Sequence, residues 1–399
     1  MAMTGVVLGT QTTINQLAAN QMPDVDRYLY LLEPYQYPML QWLYFSQGIN
    51  KAEKVINANG KFSWFEDEMF PYQTTLAGGG ISGGAASEDN IGLTDATWIS
   101  QGDILLIEKT DQMVFVDSVD SGQVDITHID GSTNITAAAA GSYVKKIGSR
   151  NAEFDGARVA TSTKEIEKYN YCTIFKETVT TSGRRQAGDT YTGGKSHKDE
   201  VRKKVLEMKA QYERNFLFAT ASGTVTVSTN YRFTYGMGFL GRVTTNKVSY
   251  ATTLTEAAFD AYLQQVFSAK GSSKVKRHYC GATQLAAINK FVKDQYTVMP
   301  IAREYGVDVN RYITPFGRLE LVWNPMMDGK FSKFGFTVDP LGMKLRFMAN
   351  DEKGSRRFRI EEGIETPGTD GKSTQILADL GIQIANEERH GILYDSNAV

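Results

Sequence analysis

Apolar residues recur at helical spacing most clearly in residues 196–221 (SHKDEVRKKVLEMKAQYERNFLFATA), where Val201, Val205, Met208, Tyr212 and Phe216 form one stripe. Lys198, Arg202, Lys209 and Arg214, interleaved with Glu200, Glu207 and Glu213, cover much of the remaining surface, and Glu200 stands four residues before Lys204. Ser196 with Asp199 is the start signal, a side-chain oxygen and an acid meeting the amides of the first turn, and Ser222-Gly223 is the stop. At about 1.5 Å per residue the helix runs nearly ~40 Å. That length suits a strut across a flat subunit, although an ordinary core helix with a solvated charged face shows the same pattern.

Elsewhere the pattern shortens to the period of strands. Residues 103–109, 112–119, 123–129 and 143–147 are short β-type runs, with Asp120-Ser121-Gly122 as a hairpin loop. They predict a compact all-β insert at about 98–148, a small barrel or sandwich. Before it, residues 61–72 (KFSWFEDEMFPY) alternate partly, with Phe62 and Trp64 on one side, and the glycine-rich stretch 76–87 (LAGGGISGGAAS) reads as a hinge or mobile loop. After it, residues 169–181 (YNYCTIFKETVTT) read as one strand that pairs with the strand near Phe62, giving a long two-stranded arm with the insert between its halves.

Residues 1–60 read as an N-terminal arm. Asp24-Val25-Asp26 caps a short helix through Tyr30-Leu31-Leu32, and Pro34 and Pro38 stiffen the passage EPYQYPML. Trp42, Leu43, Tyr44 and Phe45 then cluster with little local core, so this segment is expected to pack on another domain or another subunit. Beyond the long helix, GMGFLGRV (236–243) reads as a tight turn and Thr253 with Glu256 as a capping box for a helix carrying Phe259, Leu263, Val266 and Phe267. A further helix carries Leu285, Ile288 and Val292, and strands are predicted at 318–323, 334–338, 344–348 and through 376–394. Helices mixed with antiparallel strands predict an α+β fold.

Composition narrows the function. The 399 residues are 41% hydrophobic and 22% charged, with a formal charge of −2, which excludes a surface basic all over while leaving room for a local basic face. Two cysteines far apart do not make a disulfide framework, and no apolar run approaches the roughly 20 residues of a membrane helix. The four histidines are scattered; His278, two residues from Cys280, lacks a second pair for a zinc site and is expected at a strand edge. The acidic run Glu66-Asp67-Glu68 lacks calcium-loop spacing, and Gly371-Lys372-Ser373 lacks the first glycine of a phosphate loop and reads as a polar loop. No catalytic, metal or cofactor motif is present, so a non-enzymatic protein is expected. Arg356, Arg357 and Arg359 are candidate basic residues for a nucleic-acid-facing or contact surface, and because Glu361 and Glu362 can neutralise them a subunit contact or solvated face is the expected reading.

Taken in order, these parts resemble a tailed-bacteriophage major capsid protein with the HK97-like fold, in the branch whose extended loop carries a small β insert. The motifs that carry the resemblance are EPYQYPML, FSWFEDE, QGDILLI, YNYCTIFKETVTTSG, KKVLEMKAQYERNFLFA and ERHGILYD. The resemblance implies an N-terminal arm (1–60), an extended loop (61–195), a peripheral domain with a spine helix (196–245), an axial domain (246–340) and a C-terminal return to the peripheral domain (341–399). It implies self-assembly as pentamers and hexamers into an icosahedral shell around a dsDNA genome contacted nonspecifically. Tyr35, Tyr37, Met39, Trp42, Tyr44, Phe45, Trp64 and Phe65 are then candidate subunit contacts. Portal and decoration proteins are implied partners, and because the chain opens almost directly on the arm, a separate scaffolding protein is expected. The implied location is the virion, assembled in the bacterial host cytoplasm. Two alternatives stand beside it: an encapsulin-like compartment shell, and an enzyme with a β-rich accessory domain.

Overall fold

The structure is a computed structural model that describes residues 37–45, 52–151, 153, 156, 158, 160–188, 196–228, 231–251, 253–295, 299–300 and 309–398. The expected helix at 24–32 and Tyr35 lie outside the described residues. Two compact units are present, one formed by Met1–Trp64 with Tyr169–Val399 and the other by Phe65–Lys168.

The smaller unit is a closed β structure. Its strands run in the order Gln73–Thr75, Tyr143–Ser149, Asp103–Ile107, Gln112–Asp120, Gln123–His128 and Ser87–Gly92, every neighbouring pair antiparallel. A bridge between Leu76 and Leu93 joins the two outer strands, so the six-stranded sheet closes on itself as a barrel. Alternation directs Leu105, Ile107, Val114, Val116, Val124, Ile126 and Val144 inward. Asp103 is buried with them and is matched by Lys146 at 2.5 Å and Arg158 at 2.7 Å.

One expectation changes here, and one strand is new. The stretch 76–87 is built into the barrel, with Leu76 and Ile81 in its core and Ile81 exchanging backbone hydrogen bonds with Ala138 at 2.8 and 3.0 Å. Gly80 and Gly83, at φ of 75° and 76°, lie so close to the backbone of residues 135–140 that a Cβ would collide, which explains the glycines without any hinge. The strand Ser87–Gly92 gave no alternation signal because it is mostly polar and exposed.

In the larger unit, a five-stranded sheet runs Glu53–Val55, Met343–Met348, Gly371–Ile384 and Thr173–Ser182, with Arg359–Glu362 also pairing with the long strand. Residues 169–181 are therefore two strands: Ile166–Tyr171 pairs with Lys61–Glu66, while Thr173–Ser182 turns to Gly371–Ile384. Gly371-Lys372-Ser373 opens that long strand instead of forming a loop. The long helix spans Ser196–Phe218 and buries Met208, Tyr212, Phe216 and Leu217 on the sheet core, with Val201 and Val205 half-buried beside them. Glu200 pairs with Lys203 and Arg185 rather than Lys204, which turns to Glu207 at 2.6 Å.

A mixed seven-stranded sheet runs Lys247–Tyr250, Gly391–Asp395, Gly335–Val338, Val275–Cys280, Arg318–Trp323, Val309–Ile313 and Met299–Pro300. Helices Glu256–Phe267 and Ala282–Gln295 accompany it, the first burying Phe259, Tyr262, Leu263 and Val266. Its cap is Thr255, whose hydroxyl accepts from the Ala258 amide at 3.3 Å, two residues later than the capping box expected at Thr253. Residues 341–399 contribute to both sheets, since Gly391–Asp395 belongs to the seven-stranded one.

Candidate functional site: the arm anchor and the charged and apolar faces

The arm helix Pro38–Phe45 starts on proline, whose missing N–H costs nothing at the first helical position. The next two amides need acceptors, and the residue before the helix, Tyr37, offers no capping oxygen. The acceptor comes from a residue 174 positions after Met39 and 173 after Leu40. One carboxylate oxygen of Glu213 accepts from the Met39 amide at 3.1 Å, and the other from the Leu40 amide at 2.7 Å. Asn324 Nδ2 donates to the same carboxylate at 2.7 Å, and the Asn324 amide is itself held by the Cys280 carbonyl. Glu213 is fully buried, and that burial pushes its carboxyl up to about 7 against the opposing effect of the two amides and Asn324. The carboxylate thus joins three elements: the arm helix, the long helix and the turn after Arg318–Trp323.

The side chains of the arm helix complete the seal. Tyr37 donates its hydroxyl to the Leu206 carbonyl at 2.8 Å, and Met39, Leu40 and Leu43 are buried among the strands of the five-stranded sheet and the long helix. Trp42 lies under the Arg277 guanidinium at 5.3 Å, and Arg277 is paired with Glu320 at 2.9 Å. Tyr44 is half-buried beneath Arg357 at 4.3 Å.

Among the candidate contact residues, Tyr37, Met39, Trp42 and Trp64 therefore spend their apolar surface inside their own chain. Trp64 packs with Phe62 and lies under Arg242 at 4.9 Å. Phe65 is 69% exposed, while the side chain of Phe45 is outside the described residues. Glu213, expected on the solvated face, is instead buried. The signal for it was present: Leu206, Ala210, Glu213 and Leu217 form a second apolar row at helical spacing, interrupted by one acid.

The three arginines are locally matched. Arg356 meets Asp351 at 3.2 Å and Asp379 at 3.3 Å, and Arg359 meets Asp351 and, at 2.7 Å, Glu361. Arg357 stacks on Tyr44 and Phe347, and Glu362 pairs with Lys372 instead. The histidines bind protein groups: His197 bridges the Thr181 and Thr374 hydroxyls at 2.8 Å each, and His128 faces Asp130 at 2.8 Å. His278 is fully buried in an interior strand and bonded to Thr337 at 2.8 Å, not at a strand edge, and burial lowers its pKa to about 4. His390 is likewise buried, its Nδ1 accepting from the Asp339 amide at 3.1 Å. Cys172 and Cys280 are buried free thiols, and burial raises both pKa values.

A family model described as "SU10 major capsid protein" matches residues 6–397. No curated protein matches the chain. Among solved structures, the chain is similar to the capsid of a native GTA particle, at 8% identity and a TM-score of 0.49, covering 95% of this chain and 97% of that one. It is also similar to a structure of Microbacterium phage Oxtober96, at 9% identity and a TM-score of 0.47, covering 96% and 99%. A third similarity is to the holo-SrpI encapsulin complex of Synechococcus elongatus PCC 7942, at 12% identity and a TM-score of 0.45, covering 58% and 77%.

Proposed function

Since the chain belongs to the SU10 major capsid protein family, and is thus a structural protein of a phage shell, we propose how its parts divide the work of assembly. The shell is an icosahedral container of pentamers and hexamers around dsDNA, and the subunit has the HK97-like arrangement. Ser196–Phe218 is the spine helix of a peripheral domain built on the five-stranded sheet, and the seven-stranded sheet with its two helices is the axial domain. The Lys61–Glu66 and Ile166–Tyr171 pair with the barrel forms the extended loop that overlaps a neighbour, with Phe65 among its contacts.

The observation that supports this reading best is the family match across residues 6–397. It favours the phage shell over the encapsulin-like compartment and over the enzyme with a β-rich accessory domain. Contact with DNA is backbone-directed and weak per subunit, because Arg356 and Arg359 are already matched by acids. A separate scaffolding protein guides closure, portal and decoration proteins complete the particle, and assembly takes place in the bacterial host cytoplasm.

Electron microscopy of the purified full chain tests the proposal. Closed particles with fivefold and sixfold clusters are expected. A chain that stays monomeric with and without co-expressed scaffold contradicts it.

A further inference from the structure

The strands Gly223–Ser228 and Tyr231–Tyr235 form a two-stranded antiparallel hairpin directly after the spine helix. Its register places Val225 opposite Phe233 and Gly223 opposite Tyr235, so Val225, Tyr231, Phe233 and Tyr235 share one face. Thr226 opposes Arg232 and Thr224 opposes Thr234 on the other. Both faces of the hairpin reach solvent, since Thr224, Thr226 and Arg232 are exposed as well. The polar face supplies the bonds to the chain's own body: Arg232 donates to Asn59 Oδ1 at 2.6 Å, and Thr234 donates to the Cys172 carbonyl at 2.6 Å. The apolar face is left to solvent, with Tyr231 74% exposed, Phe233 50% and Val225 40%, and Val227 at the bulge 66%.

We propose that this outward apolar face docks on a second copy of the same chain in the shell, an inference that rests on the shell reading above. Three observations select that occupant. The face carries no acid or base, and Arg232, the basic residue of the two strands, is committed to Asn59, so neither nucleic acid nor a charged peptide finds a partner group there. The four side chains expose roughly 350 Å² of apolar surface, under half of the ~800 Å² per partner of a stable pairwise interface. An area of that size suits a contact that is weak alone and strong when symmetry repeats it, the situation of a shell subunit. Finally, the hairpin is tied at both ends, by Tyr231–Tyr235 running into the buried Gly236 and by the spine helix, so every copy presents it in the same place.

The test uses thiol protection in the full chain, whose native Cys172 and Cys280 are buried. A Tyr231→Cys variant is assembled, particles are separated from free subunits by sedimentation, and alkylation by a small maleimide is timed in both. At least tenfold slower labelling in particles is expected. The double variant Tyr231→Ser with Phe233→Ser is expected to keep the unsubstituted thermal midpoint and lower particle yield at least tenfold. Equal labelling rates in particles and free subunits overturn the hairpin contact and leave the shell reading standing. If the unsubstituted chain forms no particle at all, the shell reading falls and this contact with it.

Discussion

The arm helix Pro38–Phe45 and the hairpin at 223–235 are both short, aromatic-rich elements next to the spine helix, and the fold treats them in opposite ways. The helix turns Met39, Leu40, Trp42 and Leu43 into its own chain, and a buried acid satisfies its first amides. The hairpin bonds its own chain through Arg232 and Thr234 of one face and leaves Val225, Tyr231 and Phe233 of the other exposed. Aromatic content alone therefore does not separate a core element from an assembly surface. What separates them is where the polar partners lie, because a backbone amide or hydroxyl bonded within the chain fixes which face is held to it.

The sharpest way to break this comparison is to remove the apolar anchor of the helix. Trp42→Ala should destabilise the subunit by about 3–5 kcal/mol in a denaturant titration, as for other large aromatic deletions in cores. A change below ~1 kcal/mol would mean that the arm helix contributes little to the subunit.

Next in size is Glu213→Ala. It leaves the Met39 and Leu40 amides and Asn324 without their acceptor inside the core, at a cost of about 2–3 kcal/mol. Glu213→Gln, which keeps one acceptor oxygen and the shape, should cost less. The pair is to be compared by chemical denaturation at one pH.

The third effect is a pH dependence with a definite sign. The Glu213 carboxyl titrates near 7 in the folded chain against an ordinary 4.5, so the folded state binds the extra proton between those values. Its contribution is fully present below 4.5 and is lost as the pH rises through 7. His278 and His390, both lowered to about 4 by burial, act in the opposite direction, since the unfolded chain takes up their protons first as the pH falls below 6.5. The difference between the unsubstituted chain and Glu213→Gln isolates the acid. That difference should favour the unsubstituted chain more at pH 5 than at pH 8, by on the order of 1–3 kcal/mol. A difference independent of pH would place the Glu213 pKa in its ordinary range.

The smallest effect belongs to the hairpin in the free subunit. Tyr231→Ser with Phe233→Ser should change subunit stability by no more than about 0.5 kcal/mol, as surface substitutions do. A loss of 2 kcal/mol or more would show that the face is covered by its own chain.

The elements with strong local periodicity were legible in the sequence. The spine helix, the four central barrel strands and the strands Arg318–Trp323 and Met343–Met348 appear within a few residues of their expected places. What was not legible depends on partners distant along the chain. Residues 169–181 look like one strand, yet they divide at Cys172 because two different strands claim the halves. The glycines of 76–87 imitate a flexible linker, but their role is close approach to the backbone of 135–140. The hairpin itself went unread, since alternating threonine and valine carries no mark of which face meets water. Glu213 followed the charges around it into the solvated class, and only the amides of Met39 and Leu40, 174 and 173 residues earlier, reveal its role.

Hydrogen–deuterium exchange on dissociated subunits and on closed particles tests the contrast most directly. The amides of residues 39–45 are expected to be equally protected in both states, whereas those of Gly223–Ser228 and Tyr231–Tyr235 gain strong protection only in particles. Arm-helix amides that exchange freely in the subunit and slow only on assembly, with a hairpin unchanged between the two, would contradict it.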